Sequence, residues 1–150
     1  IAAYLATHDW KHQIGVFRDL YRVRRDTTVE ALADLMPRST WNIPAGGFYV
    51  WVGLPAGLDA KAMLPRAVTE RVAYVPGTAF FADGQGQSHL RLSYCYPTPE
   101  RIREGVRRLA TVIDEELEVL DTFGGQSIVG DGTAPGGPNP GLDSPTPDLA

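Results

Sequence analysis

The sequence predicts an α/β fold: a two-layer sandwich with helices on one face of a small sheet, preceded by a long N-terminal helix. Two patterns predict it. Apolar residues recur at three- and four-residue steps near both ends of the folded region, as in amphipathic helices, whereas short segments between them alternate with a period of two, as in strands. The order helix, strand, strand, helix, strand, strand, helix fits two packed layers.

The long N-terminal helix is predicted over residues 3–36. Proline cannot continue a helix, so Pro37 ends it. We expect bends at Gly15 and at Thr27–Thr28, which are weak helix formers. At 1.5 Å per residue the helix would be about 45–50 Å long, which suits a helix that spans a domain boundary. Its apolar residues at helical spacing are Ile14, Phe17, Tyr21, Leu32, Leu35 and Met36.

Four short strands are predicted, over residues 40–43, 48–52, 72–75 and 89–94. The break Pro44–Gly47 separates the first two. Its consecutive glycines, Gly46 and Gly47, allow positive φ and close approach by another group. The break would either lie beside a bound ligand or form only a bulge or turn, and the sequence favours neither. The aromatic residues around it are expected in core or inter-domain packing: Trp41, Phe48, Tyr49 and Trp51.

Two further helices are indicated by their capping residues. Asp59 is suited to cap a helix over residues 60–71, in which Pro65 predicts a kink or two short turns. Thr98 followed by proline starts a second helix, 99–120, whose apolar face continues for about five turns. We therefore expect a folded domain over residues 1–120.

Residues 121–150 differ in composition from the rest of the chain. They contain seven Gly, five Pro and four Asp, and no Lys or Arg. Such a segment buries too little apolar surface to offset its chain entropy, so it is predicted to be a disordered acidic tail. When the four Asp residues of this segment are left out, the rest of the chain has equal numbers of acidic and basic residues. This balance argues against a nucleic-acid-binding surface, which requires a basic excess.

Composition also bears on where the protein acts. No apolar run approaches the ~18–20 residues of a membrane span, so no membrane partner is expected. The single cysteine, Cys95, excludes an internal disulfide. A lone cysteine fits a reducing compartment, and we therefore expect a cytoplasmic protein.

Arg91 is the residue that bears most directly on function. It lies in the middle of the predicted strand 89–94, where Leu90, Leu92 and Tyr94 alternate onto one face and Arg91 onto the other. A guanidinium in a largely buried strand requires an anionic partner, and its planar fork matches a carboxylate or a phosphate. If that partner is a protein carboxylate, Arg91 is structural; if it is a ligand, Arg91 is a binding residue.

Four sequence blocks, in this order and spacing, carry a family resemblance: Pro44–Val52, Val72–Phe81, His89–Tyr94 and Thr98–Leu109. Together they resemble the C-terminal small domain of class I/II (fold type I) pyridoxal-phosphate-dependent aminotransferases, in particular the 2-aminoadipate-aminotransferase-like branch. The resemblance covers roughly residues 5 to 118. It implies that Arg91 binds the α-carboxylate of an amino-acid or 2-oxo-acid substrate and that the N-terminal helix links two domains. If the Pro44–Gly47 break is functional, Gly47 would lie beside that substrate.

The resemblance also implies a cofactor, pyridoxal 5'-phosphate, held mainly by a large domain through a lysine. The sequence has two lysines, Lys11 and Lys61, and neither has the matching context. We therefore assign no catalytic, cofactor-binding or metal-binding residue to this chain. It is predicted to be the inactive C-terminal part of a longer enzyme of amino-acid metabolism, which the resemblance implies is a homodimer. There are two alternatives. The chain could be the ligand-sensing domain of a transcription regulator, or an inactive fragment, that is, a degenerate domain that belongs to no active enzyme.

Overall fold

The computed structural model describes residues 1–124, so the predicted disorder of the tail lies almost wholly outside the described residues. The helices are α1 (Ala2–Thr7), α2 (Trp10–Leu35), α3 (Ala60–Thr69) and α4 (Pro99–Gly124), with a 3₁₀ turn at Gly77–Phe80. The strands are β1 (Thr40–Trp41), β2 (Tyr49–Gly53), β3 (Val75–Pro76) and β4 (His89–Ser93). The predicted α/β class and the order of its main elements are confirmed.

The four strands form one antiparallel sheet in the order β1-β2-β4-β3. In the central pair, Val50 lies opposite Leu92 and Trp51 lies opposite Arg91. Residues directly opposite in a ladder share a face. The sheet therefore has an apolar face that carries Val50 and Leu92, and a second face that carries Trp51 and Arg91.

The apolar face of the sheet packs against α2, α3 and α4 to form the core. Val50, Val52 and Leu90 are completely buried there. The helices contribute the remaining buried side chains, which include Leu32 of α2, Met63 of α3, and Ile102, Val106, Leu109, Val112 and Ile113 of α4. The predicted two-layer sandwich is therefore confirmed, and the α-helices of the described residues pack on the face opposite Arg91.

The N-terminal helix is interrupted at a position that the sequence analysis did not predict. α1 ends at Thr7, and Asp9 caps α2 by accepting a hydrogen bond from the backbone nitrogen of His12 at 3.1 Å. Gly15 and Thr27–Thr28 lie within one continuous helix, so these weak helix formers do not interrupt α2. The hydroxyl of Thr28 donates to the carbonyl of Arg24 at 2.8 Å, a local bond that leaves the helix intact.

The strand 72–75 was predicted too long. Only Val75 and Pro76 pair with β4. The preceding residues instead bond to α3: the nitrogen of Val72 donates to the carbonyl of Ala67 at 2.9 Å, and the hydroxyl of Tyr74 donates to that of Ala60 at 2.7 Å. β1 is likewise shorter than predicted.

The other two helices begin where predicted. The carboxylate of Asp59 accepts from the backbone nitrogens of Lys61 and Ala62 at 2.7 and 3.1 Å, which caps α3. Pro65 lies inside one continuous helix, so the alternative of two short turns is wrong. α4 extends to Gly124, four residues beyond the predicted boundary of the folded domain. Within residues 1–124, no helix combines the length and apolarity that crossing a membrane requires.

Candidate functional site

Arg91 lies at the centre of the sheet face that is opposite the α-helices of residues 1–124. It is the third residue of β4, and its cross-strand neighbours are Trp51 on β2 and Val75 on β3. The alternation predicted from the sequence is confirmed, because Leu90 and Leu92 on either side of it are buried in the core. Arg91 thus has a paired strand on each side, which fixes the position of its backbone in the sheet.

Two aromatic rings enclose the guanidinium of Arg91. Its central carbon lies 4.1 Å from the ring centroid of Tyr49 and 4.8 Å from that of Phe80. Both distances are within the ~6 Å range of a cation–π interaction, in which the negative face of the ring attracts the cation. The two rings stabilise the positive charge without neutralising it.

No carboxylate among residues 1–124 pairs with Arg91. Its Nε is buried and has no hydrogen-bond partner there. The purely structural interpretation, in which a protein carboxylate neutralises Arg91, therefore finds no support in the described part of the chain. A half-buried guanidinium with its hydrogen-bonding capacity unused is suited to bind an anion.

The arginines of α4 show the contrasting arrangement. Arg107 and Arg108 both donate to the carboxylate of Glu104, at 2.8 and 2.7 Å. These hydrogen bonds lower the pKa of Glu104 to about 2, well below its usual range. Arg103 is similarly bonded to Asp34. These arginines lie on solvated helix faces and are paired with carboxylates. Arg91 lies on a strand and has no carboxylate partner among residues 1–124.

Aromatic side chains surround Arg91 on the open face of the sheet. The ring of Trp51 packs edge-on against Phe80, with centroids 5.3 Å apart, and stacks on the ring of His89 at 5.6 Å. The sequence analysis assigned Tyr49 and Trp51 to packing. Tyr49 is 43% exposed, and it contacts the cation rather than the core.

Phe80 reaches Arg91 because the 3₁₀ turn docks closely on β4. Gly77, the first residue of that turn, is buried, and a Cβ atom there would lie within 2.8 Å of both Cβ and the carbonyl oxygen of His89. Gly86 has a φ of +85°, and a side chain there would overlap the ring of Phe81. These two glycines allow the backbone contact that sets Phe80 beside the strand.

Gly47, the second predicted binding residue, lies apart from the guanidinium. Its φ is +84°, and its carbonyl accepts a hydrogen bond from the hydroxyl of Tyr94 at 2.9 Å. Burial raises the pKa of that hydroxyl, and the nearby charge of Arg25 opposes the shift. Gly47 lines a cavity of about 640 Å³ between α2 and the Pro44–Gly47 break, and the lining of this cavity does not include Arg91. The structure therefore does not bring the two predicted residues into one pocket.

Both lysines lie on helices and are exposed to solvent. Nζ of Lys11 is 5.6 Å from the ring centroid of Trp10 on α2, and Lys61 occupies the first turn of α3. Neither is on the strands that carry Arg91. The described residues thus provide a guanidinium without a carboxylate partner in an aromatic setting, but no lysine beside it.

Comparison with known proteins agrees with this geometry. Residues 2–109 match the model of the family described as aminotransferase class I and II. The chain is 43% identical over 118 residues to an aromatic-amino-acid aminotransferase from Thermococcus litoralis, covering 73% of this chain and 28% of that protein.

A solved structure and a second type of protein are also similar. LysN, an α-aminoadipate aminotransferase from Thermus thermophilus complexed with N-(5'-phosphopyridoxyl)-L-leucine, has a TM-score of 0.72 and 37% identity, covering 77% of this chain and 30% of that chain. An uncharacterized HTH-type transcriptional regulator from Bacillus subtilis, YdfD, is 29% identical over 115 residues, covering 76% of this chain and 23% of the regulator. The chain therefore spans less than a third of the length of these relatives.

Proposed function

This chain belongs to the class I and II aminotransferase family, and from that premise we propose that it forms the substrate-carboxylate wall of a pyridoxal-phosphate-dependent aminotransferase. The complete enzyme would transfer an amino group between an amino acid and a 2-oxo acid. Within this chain, Arg91 would bind the α-carboxylate of either substrate.

The unpaired guanidinium of Arg91 is the observation that carries the proposal. It presents donors in a fixed fork, lacks a carboxylate partner within the described residues, and stands on a sheet face that is open to a ligand. Holding the α-carboxylate at one end restricts the directions that the substrate's Cα–H bond can take. Orientation of this kind lowers the entropic part of a reaction barrier.

We propose that Gly47 contributes through the strand that follows it rather than by contact with Arg91. Its positive φ turns the chain into β2, and its carbonyl is held by Tyr94 at the end of β4. Tyr49, two residues further on, then lies against Arg91. The sequence-based expectation that Gly47 borders the substrate becomes, in this proposal, a role in placing Tyr49.

Pyridoxal phosphate is the cofactor that the family implies, and when bound it supplies an electron sink for the reaction at the substrate's Cα. Lys11 and Lys61 are exposed residues of α2 and α3 and do not fit covalent attachment of the cofactor beside Arg91. We therefore assign no cofactor step to residues 1–124. The proposal places cofactor attachment elsewhere in a longer, cytoplasmic, homodimeric protein, and this chain alone would be inactive.

The similarity to the regulator YdfD favours a second candidate function, that of a ligand-sensing domain. In that case Arg91 would bind an amino-acid carboxylate without turnover, and a DNA-binding segment elsewhere in the protein would respond. The coding sequence upstream of Ile1 separates the two candidates. A helix-turn-helix segment there would favour the regulator, and its absence would favour the enzyme or an inactive remnant.

The experiment that tests the proposal is steady-state kinetics of the complete protein with Arg91 replaced. We expect Arg91→Ala to lower kcat/KM roughly 30- to 1000-fold, on the order of 2–4 kcal/mol, because a charge-assisted bidentate contact is lost. Arg91→Lys should recover only part, since an ammonium group does not reproduce the fork. Arg101→Ala, which removes an exposed arginine of α4, is the matched control. A kcat/KM for Arg91→Ala within about threefold of the parent would contradict the carboxylate-binding role.

A further inference from the structure

We propose that Tyr49 and Phe80 are positioning residues that clamp the guanidinium of Arg91 in one orientation, so that only its two terminal nitrogens meet the ligand. The inference rests on the proposed function of Arg91 and adds the two residues through which that arginine is held. We call this pair of rings the aromatic clamp.

The clamp is built from two separate elements of the fold. Tyr49 is the first residue of β2, and Phe80 is the last residue of the 3₁₀ turn. Their centroids lie 4.1 and 4.8 Å from the central carbon of the guanidinium. An arginine side chain has many rotamers, and binding a ligand costs the freedom among them. Two rings that already hold the group reduce that cost.

The accessibility of individual nitrogens shows which edge the clamp leaves free. Nε of Arg91 is buried and has no partner among residues 1–124. The two terminal nitrogens are not enclosed in this way, and no described residue accepts a hydrogen bond from them. A carboxylate that approaches therefore meets Nη1 and Nη2 together, with its two oxygens facing two parallel N–H groups.

Burial alone does not explain why the two rings lie against the cation. Tyr49 is 43% exposed and Phe80 is 47% exposed, so neither ring is placed there by the core. The position of Phe80 is instead set by Trp51, which packs edge-on against it, and by the close docking of Gly77 on His89. The clamp is thus maintained by packing that does not require a ligand.

The first test measures the clamp in the 150-residue chain without reference to activity. In the NMR spectrum, the Hε proton of Arg91 should be shifted upfield by the two ring faces and should exchange slowly with solvent. Tyr49→Leu and Phe80→Leu should each remove part of that shift, whereas Tyr49→Phe should keep it. Tyr96→Leu, which removes a ring that is 87% exposed, is the control. An Hε resonance of the parent at the position of a free arginine would overturn the proposal.

The second test asks whether the clamp acts through Arg91 in the complete protein. Tyr49→Leu and Phe80→Leu should each raise the substrate KM roughly three- to tenfold, the scale of a cation–π contact, with kcat within about twofold of the parent. In an Arg91→Ala background the same substitutions should have no further effect, because the group that they position is absent. If the two rings only packed against their neighbours, each substitution would instead raise KM by a similar factor in the parent and in the Arg91→Ala variant.

The outcomes separate this inference from the function on which it rests. If Arg91→Ala leaves kcat/KM unchanged, the carboxylate-binding function is wrong and the clamp has no role in catalysis. If Arg91→Ala is severe but Tyr49→Leu and Phe80→Leu leave KM unchanged, or are additive with it, Arg91 binds the substrate and the clamp proposal alone is wrong.

Discussion

Arg91 shows how a charged residue can occupy a half-buried position without a carboxylate partner among residues 1–124. A carboxylate partner would stabilise the guanidinium more strongly than two rings do, but it would also occupy the donors that a ligand needs. The faces of Tyr49 and Phe80 stabilise the cation through their quadrupoles and leave the hydrogen-bonding edge unoccupied. The choice of partner therefore decides whether such an arginine is structural or able to bind.

Tyr74 carries a prediction about stability at high pH. Burial, with the charges of Asp59 and Glu116, raises the pKa of Tyr74 to about 12, whereas an unfolded tyrosine has a pKa near 10. The unfolded state therefore loses its proton first as the pH rises. The stability due to this group is complete below about pH 10 and is lost as the pH rises toward 12.

Urea unfolding at pH 9 and pH 11 measures this effect. The parent should lose more stability between the two values than Tyr74→Phe, which has no hydroxyl to titrate. At pH 9 the variant should be about 1 kcal/mol less stable, because the bond to the carbonyl of Ala60 is gone. Tyr96→Phe, at an exposed position, is the control. Equal losses of stability for the parent and Tyr74→Phe would contradict the raised pKa of Tyr74.

At the scale of elements, local patterns predicted the structure well where local forces decide it. The caps at Asp59 and before Pro99 and the alternation of 89–94 all correspond to observed elements. The prediction was wrong where a contact distant in sequence prevails: residues 72–74 bond to α3 and do not extend β3. The break before Trp10 is different, since Asp9 was a local signal that the sequence analysis did not use.

The candidate site was predictable only in part for the same reason. The alternation of the strand placed Arg91 on the face away from the core. Its neighbours depend on cross-strand register, which sets Trp51 opposite Arg91, and on the docking of the 3₁₀ turn that carries Phe80. The periodicity of the sequence predicts neither the pairing of Trp51 with Arg91 nor the contact of Phe80 with Arg91.

Gly77 provides a test of that docking. An added Cβ would come within 2.8 Å of two atoms of His89 and closer still to the carbonyl of Gly86, and backbone atoms cannot turn aside as a side chain does. We expect Gly77→Ala to destabilise the fold by about 1–3 kcal/mol in urea unfolding. Gly46→Ala is the matched control, because nothing lies within 4 Å of its Cβ position. It should change stability by less than about 1 kcal/mol. Equal effects would show that the close approach is unimportant.

The molecule as a whole is unevenly packed along its N-terminal helices. α1 has no buried residue, and the buried residues of α2 are Thr28, Ala31 and Leu32, near its C-terminal end. The first half of α2 therefore exposes an apolar surface, to which Trp10, Ile14, Phe17 and Leu20 contribute. Surfaces of this kind mark contacts with other protein, which agrees with the proposal that this chain is part of a longer enzyme.

Amide hydrogen exchange of the 150-residue chain tests this difference in packing. Amides of residues 10–22 should exchange at least about tenfold faster than those of residues 102–117, because local opening of the first group disrupts few buried contacts. The comparison is internal, since both segments are helices in the same molecule. Equal protection would mean that the N-terminal half of α2 is covered in solution.

Deleting residues 125–150 should leave the stability of the folded domain nearly unchanged. The buried apolar cluster is formed by residues 31–117, and the deleted sequence is rich in Gly and Pro. We expect the melting temperature to change by less than about 3 °C, which corresponds to less than about 1 kcal/mol in a domain of this size. The opposing hypothesis is that the few apolar residues of the segment dock on the domain. In that case both the deletion and an Ile128→Ser, Val129→Ser double variant would lower the melting temperature by similar amounts. A fall for the deletion alone would point instead to the end of α4 at Gly124, whose last turn the deletion exposes as a new chain terminus.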